Sequence, residues 1–370
     1  MTTYLIKRIF LIIPTFLGIT LITFFMIKLT PGSPISTKIQ ATEGVKAQAV
    51  SKEIIDQMKK LYGLDTPVAG WYEHFIHTVN YKVFGITDPE ERNWFRKTAE
   101  WVGENWIQYT RWLKRICLLD FGESFKDHRP VIQKIKEALP ITLTLNLIEL
   151  FIVYFISIPL GVFSALRRDS LLDRGVVLTL FILYSLPTFW VATLLIMVFA
   201  SGDYFNWFPI VGLVSDGAES LPWYQWIGNV AWHLVLPVVC MVYGSFAFLS
   251  RFSRANMLEV IHQDYVRTAR AKGLSERKVI WKHAFRNSLI PQITLMGTLL
   301  PGLMGGSVII EQIFSIPGMG KLGFESVLAR DYPTVMAIAA IEAMLTLISL
   351  LLSDLAYVWV DPRISFEKAS

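Results

Sequence analysis

Cysteine is nearly absent: Cys117 and Cys240 are the two in 370 residues, far apart and without a CxxC neighbour. That excludes a disulfide framework or a zinc knuckle as an organising device, and leaves two separate buried thiols. Charge is also scarce: Asp, Glu, Lys and Arg make up 18% of the chain, where a soluble domain carries about a quarter. No G-x-x-x-x-G-K-[ST] loop is present. The nearest echo, Gly318-Met-Gly-Lys321-Leu322, lacks the first glycine and the final hydroxyl, and reads as a Gly/Pro turn. No metal-ligand spacing surrounds His233 or His283, which read as structural groups at an interface. With no catalytic triad or paired acid and base either, a membrane enzyme is the weakest reading, and the sequence predicts no catalytic residue, no metal site and no cofactor bound by this chain.

What the sequence has instead is apolar length. Hydrophobic residues make up 53%, concentrated in runs. A helix needs about 20 residues to cross ~30 Å of hydrocarbon. Six stretches qualify: about 9–29, 141–166, 175–200, 234–250, 289–313 and 335–360. The first follows Lys7 and Arg8 but is too long for a signal peptide, and Lys28, Thr30 and Pro31 stand where a small-residue cleavage site would be. The expected fold class is all-α: a polytopic membrane protein with six transmembrane helices.

The net charge of +5 fits membrane orientation better than nucleic-acid binding, and no nucleic-acid partner is expected. Between the fourth and fifth runs lie nine basic residues (Arg251, Arg254, Arg267, Arg270, Lys272, Arg277, Lys278, Lys282, Arg286) against three acids (Glu259, Asp264, Glu276). Arg167, Arg168 and Arg174 follow the second run. Residues 201–233 carry no lysine or arginine, but hold Tyr204, Trp207, Trp223, Tyr224, Trp226 and Trp232, an aromatic belt for a membrane interface. The basic loops therefore face the cytoplasm, and both termini with them. Residues 1–30 form the N-terminus and first span. Residues 31–140 form an outward-facing helical region with helices at Lys46–Tyr62 and Glu90–Leu119, capping the outer face. Residues 141–363 form a five-helix core with the loop 251–288, and 364–370 a cytosolic tail.

That loop is too patterned to serve orientation alone. Asp264–Lys272 reads as a short helix closed by Gly273 as C-cap, and Ser275–Glu276 starts another over about 276–287. Two helices about a glycine make a bracket suited to passing force from a soluble partner to membrane helices. The plainer reading is a solvated basic loop on anionic lipid.

The residues Tyr265-Val-Arg-Thr-Ala-Arg-Ala-Lys-Gly-Leu-Ser275, then His283, Arg286-Asn287 and Ile290-Pro291, resemble the coupling loop of ABC importer permeases, in the form of the B-type permease of oligopeptide and dipeptide importers. Further matches are the first helix with its Pro31-Gly-Ser-Pro34 end, Tyr62-Gly-Leu-Asp-Thr-Pro67, Asp120-Phe-Gly-Glu-Ser124, Pro140-Ile-Thr-Leu143 and Ile158-Pro-Leu-Gly161. Phe314-Ser-Ile-Pro-Gly-Met-Gly320, Arg330-Asp-Tyr-Pro333 and Asp361-Pro-Arg363 complete a set spanning about residues 4–363. Tyr204 onward, with Leu221-Pro-Trp-Tyr-Gln225, is similar to the Yej-type branch. Two departures stand out. Arg267, Thr268 and Ala269 occupy the positions of the general Glu-Ala-Ala, as in the peptide branch, and about 75–107 is an insert.

The resemblance implies a type I permease subunit in the bacterial inner membrane. It pairs with a second homologous permease and takes energy from two ATP-binding subunits, or one fused tandem ATPase, which hold ATP and Mg. A periplasmic or lipid-anchored binding protein would deliver the peptide, and membrane lipid surrounds the chain. The ATPase-coupling residues implied are Tyr265, Arg267, Thr268, Ala269, Ala271, Lys272, Gly273, Leu274 and Ser275. Ionisable groups inside a membrane are costly and are candidates for function. Asn146, Glu149, Glu311 and Glu342 are therefore the expected lining of the translocation pathway, with Asp354 a weaker candidate near the cytosolic end. An ion-coupled secondary transporter is the first rival, but no internal repeat appears. A non-transporting receptor or assembly protein with 31–140 as its sensory part is another, and a permease for nickel or another small solute a third.

Overall fold

The computed structural model describes residues 2–29, 89–202, 204–303 and 305–360, so the expected helix at Lys46–Tyr62 lies outside the described residues. Among the described residues there are helices and no strand. They run α1 (Thr2–Leu29), α2 (Pro89–Cys117), α3 (Val131–Leu166), α4 (Leu171–Ser185), α5 (Thr188–Phe199), α6 (Trp223–Ile261) and α7 (Asp264–Ala271). Then come α8 (Glu276–Lys278), a π-helical stretch Val279–Ala284, α9 (Phe285–Ser288), α10 (Ile290–Leu299), α11 (Val308–Ile313), α12 (Met319–Leu328) and α13 (Tyr332–Val360). Among the described residues, four helical stretches are long and apolar enough to cross a membrane: Lys7–Met26, Val131–Leu166, Trp223–Ile261 and Tyr332–Leu352. The bent pair α4–α5 counts as a fifth if it is one span.

Two expected spans differ from what forms. The run at 175–200 becomes α4 and α5, bent by 96°. Pro187 has no N–H and pushes the residue before it out of the helical region, and Leu186 takes ψ 129°. The carbonyl freed there accepts a hydrogen bond from the Tyr243 hydroxyl at 2.8 Å. The run at 289–313 is likewise not one helix. It is α10, a 3₁₀ turn Leu300–Leu303, and α11 beyond Gly306, whose φ is +65°. Pro301, Gly302, Gly305 and Gly306 are the sequence cause. The expected span at 234–250 is the middle of the 39-residue α6, about 58 Å long at 1.5 Å per residue and so longer than the hydrocarbon is thick.

The chain divides into two compact units. One comprises Met1–Pro14, Lys134–Glu325 and Ile341–Ser370. In it α6 packs along α4 and α5, and α5 against α11. One core cluster joins Leu145, Ala192, Leu236, Cys240, Ile310 and Phe314; another joins Val162, Ala165, Met257, Val266, Val279 and Ala284. Helices α3 and α6 approach closely at Gly161, where a Cβ would stand 2.5 Å from the Ser250 carbonyl oxygen and 2.5 Å from the Ser253 Cβ. Small residues at such a crossing let dispersion contacts and backbone proximity hold helices that gain nothing from hydrophobic transfer in lipid. Arg8 of α1 forms an ion pair with Asp354 of α13 at 2.7 Å. That contact puts the start of the first span and the end of the last on the same side.

The other unit comprises Thr15–Gln133 and Ser326–Ala340. The expected helix at Glu90–Leu119 is α2. Tyr109 bonds through its hydroxyl to the Leu17 carbonyl at 3.1 Å and lies 3.0 Å from Thr20 Oγ1. Its ring and that of Trp112 pack on Phe24. These partners fall inside the apolar stretch of α1, so the C-terminal half of α2 runs beside that stretch rather than only above it. The Asp120–Ser124 and Arg330–Pro333 motifs meet here. Asp331, fully buried at the start of α13, accepts from Ser124 Oγ (2.5 Å), Phe125 N (2.8 Å) and Thr334 Oγ1 (2.6 Å).

Candidate functional site: the helical bracket and its anchor

Helix α7 is short and polar, too short to stand alone in water. Two residues seat it. Val266 and Ala269, three apart on one face, are buried against Val162, Ala165, Met257, Val279 and Ala284. Gly273 follows with φ +75°, the left-handed C-cap that a side chain rarely adopts, and its N–H bonds to the Arg270 carbonyl at 2.9 Å. The Ser275 carbonyl then accepts from Lys278 N (2.8 Å) and Val279 N (3.1 Å), starting the next helix. Across the turn, Arg270 forks onto Glu276, Nε to Oε2 at 3.2 Å and Nη2 to Oε1 at 2.8 Å. That fork holds the Glu276 carboxyl below its ordinary value. The bracket expected from the sequence is present, strapped across its own bend.

Of the nine residues expected to couple, the structure turns Ala269 inward as a packing residue, so it offers no surface to a partner. The other eight are exposed. Tyr265 (42%) and Leu274 (38%) present apolar surface to solvent at the two ends of α7. Thr268 spends its hydroxyl on the Asp264 carbonyl at 2.8 Å, and Arg267 reaches Asp264 at 3.5 Å.

Beneath the bracket lies a group that sequence reasoning did not single out. Asp173, 3% exposed in the first turn of α4, receives both arms of Arg254 of α6, Nε at 2.8 Å and Nη2 at 2.7 Å. Ser164 Oγ of α3 and the Asp169 backbone N–H (3.0 Å) also donate to it, and its own N–H bonds to the N-cap Ser170 Oγ at 3.1 Å. A carboxylate this deep is tolerable because every oxygen is satisfied and one partner is charged. Three helices are thereby tied together one turn from Met257, which packs beside Val266. A lone acid followed by arginine in a loop of mixed charge carries no signal of this; the partner is 81 residues away.

The four residues expected to line a pathway part company. Glu311, 1% exposed, sits in a cradle of glycines. Its carboxylate accepts from Thr142 Oγ1 (3.0 Å) and Lys321 N (2.8 Å), and a Cβ on Gly306 or Gly318 would come within 2.5 Å of it. Thr142 Oγ1 in turn accepts from Met319 N at 2.7 Å. The Gly318–Lys321 echo of a phosphate loop is thus an anion nest for an internal carboxylate at the start of α12. Asn146 is buried and donates through Nδ2 to the Leu303 carbonyl, which the break before α11 leaves unpaired. Both are held by partners within the chain, as buried carboxylates and carbonyls demand. Glu149 and Glu342 are only partly buried. Glu149 accepts from Ser245 Oγ at 2.7 Å, and Glu342 has no hydrogen bond or ion pair among the described residues. His233 is buried between Ser215 Oγ (3.0 Å) and the Gly212 carbonyl (3.1 Å), as a loop fastener. Among the described residues no cluster of His, Cys, Asp and Glu fits a metal ion.

A helical membrane protein with a partly apolar bracket of two short helices packed on its core is the class these features define. The chain belongs to the family of binding-protein-dependent transport system inner membrane components, whose model matches residues 157–366. It is similar along its whole length to the inner membrane ABC transporter permease protein YejB of Escherichia coli O157:H7, 35% identical over 99% of this chain and 100% of the relative. The oligopeptide transport system permease protein AppB of Bacillus subtilis is 36% identical over 99% and 100% of the two chains. The dipeptide transport system permease protein DppB of the same organism is 34% identical over 100% and 99%. The matched region contains the bracket, the Asp173–Arg254 anchor and the Glu311 cradle.

Proposed function

We propose that this chain is the peptide-conducting permease subunit of an ATP-driven importer, working beside a second, homologous permease. Two ATP-binding subunits, separate or fused, carry ATP and Mg and dock on the outward face of α7 and its turn. A binding protein outside the cell delivers the peptide. The oligopeptide and dipeptide systems named for the similar proteins support this cargo. The observation that carries the reading is the division of α7 and the turn after it: Val266 and Ala269 buried, Tyr265, Thr268, Ala271, Lys272 and Leu274 exposed. A helix held from beneath and bare above is shaped for a groove in another protein. ATP-driven closure of the partners pushes on the bracket and, through Val279 and Met257, on α6 and α3, which biases one of two arrangements of the spans. Both termini lie in the cytoplasm. The basic loops support this, and so does the Arg8–Asp354 pair, which puts the two ends on one side. The partly buried Glu149 and Glu342 line the path and meet the amino groups of the peptide.

The test is a cross-link. Cys240 is buried as expected but Cys117 is exposed, so in a Cys117→Ser background Ala271→Cys should cross-link to an ATP-binding subunit of the same complex, with an efficiency that changes on adding ATP. A stable, transporting complex in which position 271 reaches no ATPase under any nucleotide condition would overturn the docking assignment.

A further inference from the structure

Helix α4 and the inner end of α6 leave an open cleft of about 420 Å³ lined by Asp169, Asp173, Arg174, Val177, Leu178, Phe181, Arg251 and Arg254. Its charges are unevenly matched. Arg254 is bound by Asp173, and Asp169 lies 3.4 Å from Arg168. The guanidinium groups of Arg174 and Arg251 form no ion pair or hydrogen bond among the described residues, and both residues are exposed at the mouth. Beyond them Val177, Leu178 and Phe181 line the cleft with apolar surface, and Leu178 and Phe181 are 60% and 58% exposed. Positions 174, 177, 178 and 181 share one face of α4. Two unneutralised guanidinium groups at the end of a span, above apolar surface that continues along it, suit an anion carrying acyl chains better than a free anion. Guanidinium offers paired donors matched to phosphate oxygens. Basic pockets between spans are a recurring seat for anionic headgroups.

We propose that this cleft holds an anionic phospholipid, with its phosphodiester between Arg174 and Arg251 and its acyl chains along Val177, Leu178 and Phe181. The lipid covers the outer side of the Asp173–Arg254 anchor and seals the α4–α6 seam against water. The site is independent of which cargo is carried and of what docks on α7.

The test uses the complete complex in nanodiscs containing phosphatidylglycerol with a photoreactive acyl chain, which present both membrane faces. Labelling should map to residues 171–181 and exceed that by a phosphatidylcholine probe of the same chain. Arg174→Gln with Arg251→Gln should lower it by about thirtyfold, at ~1 kcal/mol for each basic residue near an anionic surface. Arg174→Lys with Arg251→Lys should keep most of it, which guards against misfolding of the neutral variant. Inorganic phosphate at millimolar level should not displace the lipid; full displacement would make this a free-anion site and overturn the proposal. Equal labelling by the two probes, labelling unchanged in the neutral double variant, or none at 171–181 because a partner subunit covers the cleft would each overturn it too. None of these outcomes bears on transport, so failure here and failure of the permease reading are distinguishable.

Discussion

Arg254 of α6 grips Asp173 of α4 with two parallel hydrogen bonds of 2.8 and 2.7 Å, and Ser164 of α3 completes the carboxylate's shell. Three helices therefore share one charge pair, with the carboxylate buried and the guanidinium a quarter exposed. Removing one partner leaves the other stranded at a cost of about 3–5 kcal/mol. Asp173→Ala should sharply reduce the amount of folded protein in the membrane and its thermal stability in detergent. Asp173→Leu combined with Arg254→Met should recover much of that loss, since an apolar pair leaves no orphan charge. Thermal unfolding by fluorescence-detected size exclusion measures both. Equal destabilisation by the single and the double change would contradict this account.

The α3–α6 crossing depends on Gly161, whose missing side chain lets the Ser250 carbonyl and Ser253 approach. Gly161→Leu must push the helices apart and should cost several kcal/mol, of the order of other overpacked cores (about 1–3 kcal/mol or more). Gly18 has open space around it, so Gly18→Ala serves as the tolerated control. The readout is the yield of monodisperse protein.

Glu311 holds the glycine turn to α3 and to the start of α12. Glu311→Gln keeps the shape and one acceptor oxygen, whereas Glu311→Ala removes every acceptor and strands Thr142 and the Lys321 N–H. Ala should therefore lose about 1–3 kcal/mol more than Gln. Gly318→Ala, which drives a methyl into the carboxylate, should resemble Glu311→Ala. Thermal melts of the three variants decide.

On the bracket, Leu274→Asp and Ala271→Arg change exposed atoms and should leave stability within about 0.5 kcal/mol while uncoupling transport from ATP hydrolysis. Peptide uptake should fall at least tenfold with the melting temperature unchanged. Ala269→Arg, by contrast, inserts a charge into the core and should fail through folding, so uptake and melting temperature fall together.

The strap from Arg270 to Glu276 has a pH signature. The Glu276 carboxyl titrates below its ordinary value of 4.5 in the folded protein because Arg270 bonds the charged form. Its stabilisation is thus fully present above about 4.5 and is lost as pH falls through the depressed value. Both side chains are partly exposed, so solvent screening limits the strap to about 0.5 kcal/mol. A spin label at Ala271→Cys should show constant mobility from about pH 8 to 5 and rising mobility below about 4.5. Glu276→Gln should be mobile throughout and flat with pH.

Much of this was written in local sequence. The apolar runs foretell α1, α3, α6 and α13, and Gly273 with Ser275 foretells the bracket. The breaks were legible too, in Leu186-Pro187 and in Pro301 to Gly306, although the apolar runs alone suggested straight spans. The inward turn of Ala269 follows from its helical spacing to Val266. The pairing of distant polar groups was not written there. Glu311 and Asn146 look like pathway residues because an acid or amide in an apolar run signals function. Their partners, Thr142 and the Leu303 carbonyl, come near only when α3 lies against the broken segment.

The sequence by itself determined the class of protein and the bracket of two helices about Gly273, because hydrophobic length, charge bias and a glycine cap act over a few turns of chain. Only the tertiary structure decided which partners the buried charges find. Desolvation makes every buried polar group seek a partner, and whether Asp173 finds Arg254 or Glu311 finds a ring of glycines depends on which helices cross and how closely.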